Sequence, residues 1–353
     1  MPAPLLTSPE EAAALIQQGK LVAFPTDTVY GIAALADERF DNAALRAFKG
    51  GRSERFSLHS GSVADAEKFA GPLNPAEARL VRRWCPHGVT LVVAYSALGT
   101  LGVRVVGDSL GSAVLRACGA PVVATSANLR GQPVLPDPAM IAELAGIDAV
   151  LDGGLQKNTH ASTVAALLPL GMNVLRRGKI ELKPLKVVFV CIGNLNRSAF
   201  AHRWLEAANA WWASRIAGYV PALQASSMGL IARAAAKVPP PMQAAAALYG
   251  VDLSQHIPRA LDADALAAAD IVVAMNDEVV NAIERIAGDR LLKLKVKDPM
   301  GGPETGFAAC AADVLRDLDA HFVARLASPA DAAYDAAFRE VMYGPAPNRP
   351  RNP

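Results

Sequence analysis

The apolar run Val187-Val-Phe-Val190 passes without a break into Cys191-Ile-Gly-Asn-Leu-Asn-Arg197-Ser198. The following segment, Ser198-Ala-Phe-Ala-His-Arg-Trp-Leu-Glu-Ala-Ala, has the composition of a helix. A β-branched and aromatic run ending in a Gly/Asn-rich turn predicts a strand feeding a tight loop. Such a loop, between a strand tip and a helix start, gathers backbone N–H groups at one spot and suits a phosphate. Cys191 opens it and Arg197 closes it, which sets a sulfur nucleophile beneath a phosphate and a guanidinium beside it. A cysteine six positions before an arginine also fits an inert thiol packed at a strand end. Gly193 and Asn194 favour the first reading, because both types tolerate the left-handed turns that curl N–H groups inward. Ser198 adds a hydroxyl at the helix start, within reach of the sulfur.

A second loop, Val296-Lys-Asp298-Pro299-Met-Gly-Gly-Pro303, offers one carboxylate after a short apolar segment. An aspartate before proline is also a common solvated turn residue. Together these segments resemble the low-molecular-weight protein tyrosine phosphatase family, over roughly residues 185–328. The resemblance implies Cys191 as nucleophile, Arg197 as phosphate ligand and Asp298 as general acid. Ile192, Gly193, Asn194 and Ser198 fill out the nucleophile loop, with Ser227 and His256 bracing its asparagine. It further implies a doubly wound four-stranded parallel sheet, with Cys191 at the carboxyl end of the first strand, and no metal. The substrate it implies is a phosphorylated protein or a small phosphomonoester. Several positions depart from the pattern. Asn196 replaces a second cysteine, so a protective disulfide with Cys191 is not expected. Met300 and Gly301 stand where aromatic residues usually flank a phosphotyrosine ring, and Ala234–Pro241 offers no aromatic wall. Ile192 stands where relatives acting on phosphoarginine tend to carry threonine.

The first half has a pattern of its own. Leu21-Val-Ala-Phe-Pro25 runs into Thr26-Asp-Thr-Val-Tyr-Gly31, and Pro121-Val-Val-Ala ends in Thr125-Ser-Ala-Asn128. Lys49, Arg52, Arg104, Ser162 and Arg176 lie in Phe48–Arg52, Gly102–Val105, Ser162–Val164 and Val174–Gly178. Apolar strands whose last residues turn polar are expected where an α/β sheet gathers a site at strand ends. Cations among hydroxyls suit a nucleoside triphosphate or another anion. These segments look like the YrdC-like threonylcarbamoyl-adenylate synthase family over about residues 9–180, which implies a twisted mixed α/β sheet. That family joins threonine, bicarbonate and ATP, with magnesium on the triphosphate, for tRNA modification. Carried over, Thr28 and Tyr30 face threonine, while Lys49, Arg52, Ser126, Asn128, Ser162 and Arg176 hold ATP, with Arg104 and Thr125 in the same site. The family's Lys-x-Arg is stretched to Lys49-Gly-Gly-Arg52, and its Trp-Pro-Gly-Pro-Leu-Thr appears as Trp84-Cys-Pro-His-Gly-Val-Thr90. A non-catalytic or RNA-binding module, or a transferase forming a carbamoyl-adenylate, are therefore the competing readings of this half.

At 353 residues the chain has room for two ordinary cores. The expected arrangement is 1–180, 185–330 and a tail at 331–353, whose Pro345–Pro353 end reads as disordered. Charge is close to balanced, with 18 basic and 16 acidic residues up to Lys183 and 17 of each beyond it. Neither half has the basic excess that argues nucleic-acid binding. Cys85, Cys118, Cys191 and Cys310 show neither metal nor disulfide spacing, which fits a reduced, cytoplasmic setting. Met1–Glu11 lacks the features of a secretion signal, and no apolar stretch approaches a bilayer span, so no membrane association is expected. Tryptophans 204, 211 and 212 read as core or inter-domain contact rather than a stacking platform, Leu261–Ala269 as a packed helix and Pro239–Pro241 as a rim loop.

Overall fold

The computed structural model describes residues 1–51, 55–95, 99–107, 109–157, 160–324 and 337. The chain divides into two compact units. One holds Met1–Leu168, Val174–Leu182 and Ala324; the other holds Pro169–Asn173 and Lys183–Val323.

In the first unit the strands are β1 (Leu5–Leu6), β2 (Val22–Phe24), β3 (Gly31–Leu35), β4 (Ser57–Ser60) and β5 (Val89–Tyr95). Then come β6 (Gly99–Val105), β7 (Val122–Ser126), β8 (Ala149–Leu151), β9 (Thr163–Leu168) and β10 (Gly171–Arg176), of which only Val174–Arg176 belong to this unit. From β1 to β9 the order across the sheet is β1-β8-β2-β3-β7-β4-β6-β5-β9, and the pairing is mixed. Helix Pro9–Gln17 starts at Ser8, whose hydroxyl accepts from Glu11 N, with Pro9 at the first helical position. Its Ala12, Ala13 and Ile16 recur at helical spacing and pack with Val22, Phe24, Ala33 and Val122 in one core. Antiparallel pairing sets Gly31 opposite Ser126 and Ile32 opposite Thr125. That register brings the two signature segments of the first half side by side.

The second unit contains β11 (Leu185–Cys191), β12 (Tyr219–Pro221), β13 (Leu223–Gly229), β14 (Ile271–Ala274) and β15 (Leu291–Lys293). Four of these form a parallel sheet in the order β13-β11-β14-β15. Lys186 is the one exposed residue of β11, as a near-continuous apolar strand covered on both faces requires. Alternation assigns the faces: Val188 and Val190 pack with Val279, Val280 and Ile283 of helix Asp277–Ala287. Phe189, on the opposite face, meets Phe322 of helix Thr305–Phe322 edge-on at 6.3 Å. The sheet is thus doubly wound, and Cys191 ends its central strand.

Trp204 and Trp212 are fully buried and Trp211 nearly so, all on helix Arg197–Ala213. One expectation is corrected and the bounds of another are narrowed. Pro239–Pro241 is not a rim loop: Pro240 begins helix Pro240–Ala247, because proline fits a first turn whose N–H groups lack intrahelical partners anyway. Leu261–Ala269 holds only a five-residue helix, Ala263–Ala267, started by Asp262, whose carboxylate accepts from Asp264 N and Ala265 N. The 331–353 tail lies outside the described residues apart from Ala337. No helix among the described residues is long and apolar enough to cross a membrane.

Candidate active sites

The site of the second unit is built on the turn after β11. Cys191 is 2% exposed, and two donors converge on its sulfur: Asn194 N at 3.2 Å and Ser198 Oγ at 3.0 Å. The turn closes because Asn194 adopts a left-handed conformation, φ 52°. Its side chain is fixed on every side. Asn194 Nδ2 donates to Ser198 Oγ and Ser227 Oγ, both at 2.9 Å, and Oδ1 accepts from Arg259 N at 2.8 Å. His256 Nε2 lies 2.9 Å from the Asn194 carbonyl. The Ile192 carbonyl accepts from Ile231 N at 3.0 Å, so the loop is pinned from β13's continuation as well.

The helix that follows has no side-chain cap at Asn196, which leaves its first N–H groups facing the loop. Arg197 is 1% exposed; its Nη1 donates to the Val296 carbonyl at 3.2 Å and its Nη2 pairs with Asp298. Arg197 Nε and Asn196 Oδ1 are buried with no hydrogen-bond partner. A buried donor is left unpaired at a cost of about 1–3 kcal/mol, so Nε beside the cradle marks a place for an anion. Asp298 Oδ1 accepts from Met300 N at 3.2 Å, which orients the carboxylate from its own loop. Met300 itself is 56% exposed beside it.

Cys191, Asn194, Ser198, Ser227 and His256 are therefore brought into one bonded network, with Ile192 and Gly193 forming its turn, while Arg197 and Asp298 form a separate ion pair at the start of the helix that follows. Sequence reasoning passed over Gly229, where a Cβ would stand 2.7 Å from Asn194 N and from Ile192 O. His202, whose Nδ1 lies 3.1 Å from Ser227 Oγ, and the Arg259 N–H were also missed. Gly229 had a signal in principle, since glycine at a strand tip beside a loop permits close backbone approach. The four cysteines are free and buried, and burial pushes the Cys310 thiol up to about 12.

The site of the first unit gathers around the end of β7. Lys49 Nζ donates to the Ser126 carbonyl and to Asn128 Oδ1, both at 2.9 Å, and also to the Asn128 carbonyl. Ser126 Oγ donates to Asn128 Oδ1 at 2.6 Å. Ala127 N bonds the Tyr30 carbonyl at 2.8 Å, joining this cluster to the Thr26–Gly31 segment. In that segment Thr26 and Thr28 hydroxyls lie 3.1 Å apart, and Thr26 Oγ1 donates to the Val29 carbonyl at 2.6 Å. The buried Tyr30 hydroxyl accepts from Gly153 N at 2.9 Å and donates to the Gly154 carbonyl at 3.0 Å; burial pushes its phenol up. A third group is Ser162, whose Oγ lies 2.9 Å from Thr90 Oγ1 and accepts from Arg176 Nη2 at 3.1 Å. Arg52 lies outside the described residues.

Arg104 differs from the expectation. It is 2% exposed, pairs with Asp27, and donates to the carbonyls of Cys85, Val89 and Val105. None of these partners is an expected ligand-binding residue. A guanidinium buried from water needs partners, and the carbonyls of Cys85, of Val89 in β5 and of Val105 in β6 take Nη1 while Nη2 pairs with Asp27, so Arg104 braces Asp27. Thr125 sits within β7 opposite Ile32. No group of three or more His, Cys, Asp or Glu side chains converges as a metal site among the described residues.

Two family models match the chain. Residues 14–178 match the Sua5/YciO/YrdC model, described as telomere recombination, and residues 186–329 match low molecular weight phosphotyrosine protein phosphatase. A threonylcarbamoyl-AMP synthase of Pyrococcus abyssi is 31% identical over 191 residues, covering 50% of this chain and 56% of that protein. The chain thus spans about half the length of that relative. A putative threonylcarbamoyl-AMP synthase of Mycobacterium leprae is 32% identical over 185 residues, 48% of this chain and 83% of that protein. Among solved structures, a YwlE mutant from Bacillus subtilis is 21% identical and covers 39% of this chain and 94% of its own, with a TM-score of 0.33.

Proposed function

The chain belongs to the threonylcarbamoyl-AMP synthase family and also carries a low-molecular-weight phosphotyrosine phosphatase domain, and from this we propose a bifunctional enzyme. Residues 1–180 are assigned to the synthase half and 185–330 to the phosphatase half.

The observation that carries the phosphatase reading is the pair of donors on Cys191 Sγ beside the unpartnered Arg197 Nε. Both favour negative charge: the first on sulfur, the second on a phosphoryl group lying above it. The sulfur attacks phosphorus in line and the bond to the leaving oxygen breaks. Asp298 delivers a proton to that oxygen. Water then attacks the cysteinyl-phosphate, gives its proton to Asp298, and phosphate leaves with the thiolate restored. Arg197 and the loop N–H groups supply the charge stabilisation, so no metal enters a step. The exposed Met300 and the lack of any aromatic residue in Ala234–Pro241 favour a phosphomonoester without a stacked ring, alongside phosphotyrosine. Hydrolysis of p-nitrophenyl phosphate by the wild type and by Cys191→Ser tests the assignment; equal rates refute it.

In the first half, Lys49, Ser126, Asn128, Ser162 and Arg176 are proposed to hold ATP, together with Arg52, while Thr28 and Tyr30 face threonine. No group of three or more His, Cys, Asp or Glu side chains converges among the described residues, so magnesium would be held by the triphosphate itself, whose charge it would offset. The reaction joins threonine, bicarbonate and ATP with release of pyrophosphate, in the service of tRNA modification. A second reading has one observation in its favour: each proton of the Lys49 ammonium already has a protein acceptor. That closed arrangement suits a binding module. Pyrophosphate release from ATP and bicarbonate separates the readings. Release that requires threonine supports the synthase, release without it a carbamoyl transfer, and no release the binding module.

A further inference from the structure

Asn194 spends both its amide protons on hydroxyls, Ser198 Oγ and Ser227 Oγ. Ser198 has its own proton to give and gives it to Cys191 Sγ. Ser227 is 1% exposed and must also place a proton, and the acceptor within reach is His202 Nδ1 at 3.1 Å. On its other side His202 Nε2 lies 3.2 Å from Glu206 Oε1, one turn further along the same helix. Glu206 is held in turn by Arg203 through Oε2 at 2.7 Å. One proton arrangement satisfies every group: Nε2–H donates to Glu206 and bare Nδ1 accepts from Ser227. With the proton on Nδ1 instead, the Ser227 oxygen receives two donors and its own proton is stranded in a buried place.

We propose that His202 is a positioning residue of the phosphate loop, an imidazole whose bare Nδ1 takes the Ser227 proton and so aims the Ser227 lone pair at Asn194. Glu206 fixes the tautomer. The inference rests on the phosphatase reading of this site. It adds a titratable control to the loop, since a protonated His202 donates at both nitrogens and removes the Ser227 acceptor. Asn194 then loses one of the anchors of its left-handed turn, and its N–H swings away from Cys191. The charged and titratable groups facing His202 are Glu206 and Arg203 from its own helix and His256 from the segment before Arg259. Burial pushes the imidazole down, Glu206 opposes that, and His256 and Arg203 add to it. The ring is therefore neutral at neutral pH, and the loop is expected to loosen on the acid side.

The test uses the full chain with p-nitrophenyl phosphate across pH. His202→Leu removes the acceptor and is expected to lower kcat roughly tenfold at neutral pH, the cost of a stranded buried hydroxyl. His202→Asn, whose Oδ1 can stand near the Nδ1 position, is expected to recover most of that loss and to lack the acid-side limb tied to the imidazole. In a Ser227→Ala background the His202→Leu effect should vanish, because the residue it works through is gone. Nitrogen chemical shifts of the wild-type imidazole should show bare Nδ1 and protonated Nε2 at neutral pH. A protonated Nδ1, equal rates for the Leu and Asn variants, or a His202→Leu effect that survives Ser227→Ala overturns the proposal. A wild-type chain that hydrolyses nothing refutes the phosphatase reading instead, and the nitrogen shifts still decide the tautomer.

Discussion

At the scale of single residues, the phosphate loop is held by atoms that a motif does not name. Gly229 is the clearest. A Cβ there would lie 2.7 Å from Asn194 N, 2.7 Å from Ile192 O and 2.8 Å from Gly193 C, all backbone atoms of the loop. None can rotate aside as a flexible side chain would, so Gly229→Ala must move the loop itself. Overpacking of this kind costs about 1–3 kcal/mol, and a displacement approaching 1 Å at the nucleophile costs about 100-fold in rate. We expect Gly229→Ala to lower aryl phosphate hydrolysis by about 10- to 100-fold while the protein still folds, checked by steady-state kinetics beside thermal melting. Hydrolysis at the wild-type rate would show that the loop tolerates the methyl. Asn194 was legible from sequence because the motif needs a residue at ease with positive φ. The strand-tip position of Gly229 was a signal, but which atoms it faces was not legible, nor was His202, since their partners lie 35 and 25 positions away and only strand register and helix rotation bring them together.

The elements decide how these residues meet. The segment after β15 carries Asp298 and is fastened by Leu294 N to the Ala274 carbonyl at 2.8 Å and Val296 N to the Met275 carbonyl at 3.0 Å. A loop tied to the strand beside β11 keeps its carboxylate near Arg197, and the Met300 N–H then orients it. Asp298→Asn should slow esters with poor leaving groups by about 100-fold or more, because only those need a proton in the transition state. Esters with good leaving groups should slow far less; a uniform loss across leaving groups would remove the general-acid role. In the first unit the helix Ala43–Phe48 ends at Lys49, and the stretched motif continues through Gly50 and Gly51 at φ 67° and 72°. A Cβ at either meets nothing within 4 Å, so sterics with neighbours do not forbid alanine there. Backbone conformation does, at about 1–2 kcal/mol each. Gly50→Ala and Gly51→Ala are each expected to lower stability in urea by about that amount, and an unchanged midpoint would mean the turn adopts another conformation. The extra glycine was visible in the sequence, but not that the turn takes it up as two consecutive left-handed residues.

Over the whole molecule, the sequence announced two sites because each lies at a strand-to-loop junction, where local composition records the turn. It was less informative about Arg104, because a cation reads alike whether it awaits a ligand or fills a buried brace; only its carbonyl partners tell the difference. The same burial sets how the chain responds to acid. His59 in β4 has its Nδ1 2.9 Å from the Ser57 carbonyl, and burial drives its imidazole down to about 4, with Arg104 adding to that. Burial also pushes His202 and His256 down in the second unit. The sign is the same for all three. Above the ordinary imidazole range neither the folded nor the unfolded chain is protonated, and the histidines contribute nothing to the pH dependence. As pH falls below about 6.5 the unfolded chain binds protons first, so folding stability declines until the folded-state values are reached. For His59 the interval from 6.5 to about 4 corresponds to roughly 3 kcal/mol at most. His59→Gln leaves no proton to bind in that window. The variant should lose less stability than the wild type between pH 7 and pH 4.5, whatever its starting stability, as measured by urea unfolding at a series of pH values. Parallel curves for the two proteins would mean that His59 is solvated when folded and that the acid sensitivity of the first unit arises elsewhere.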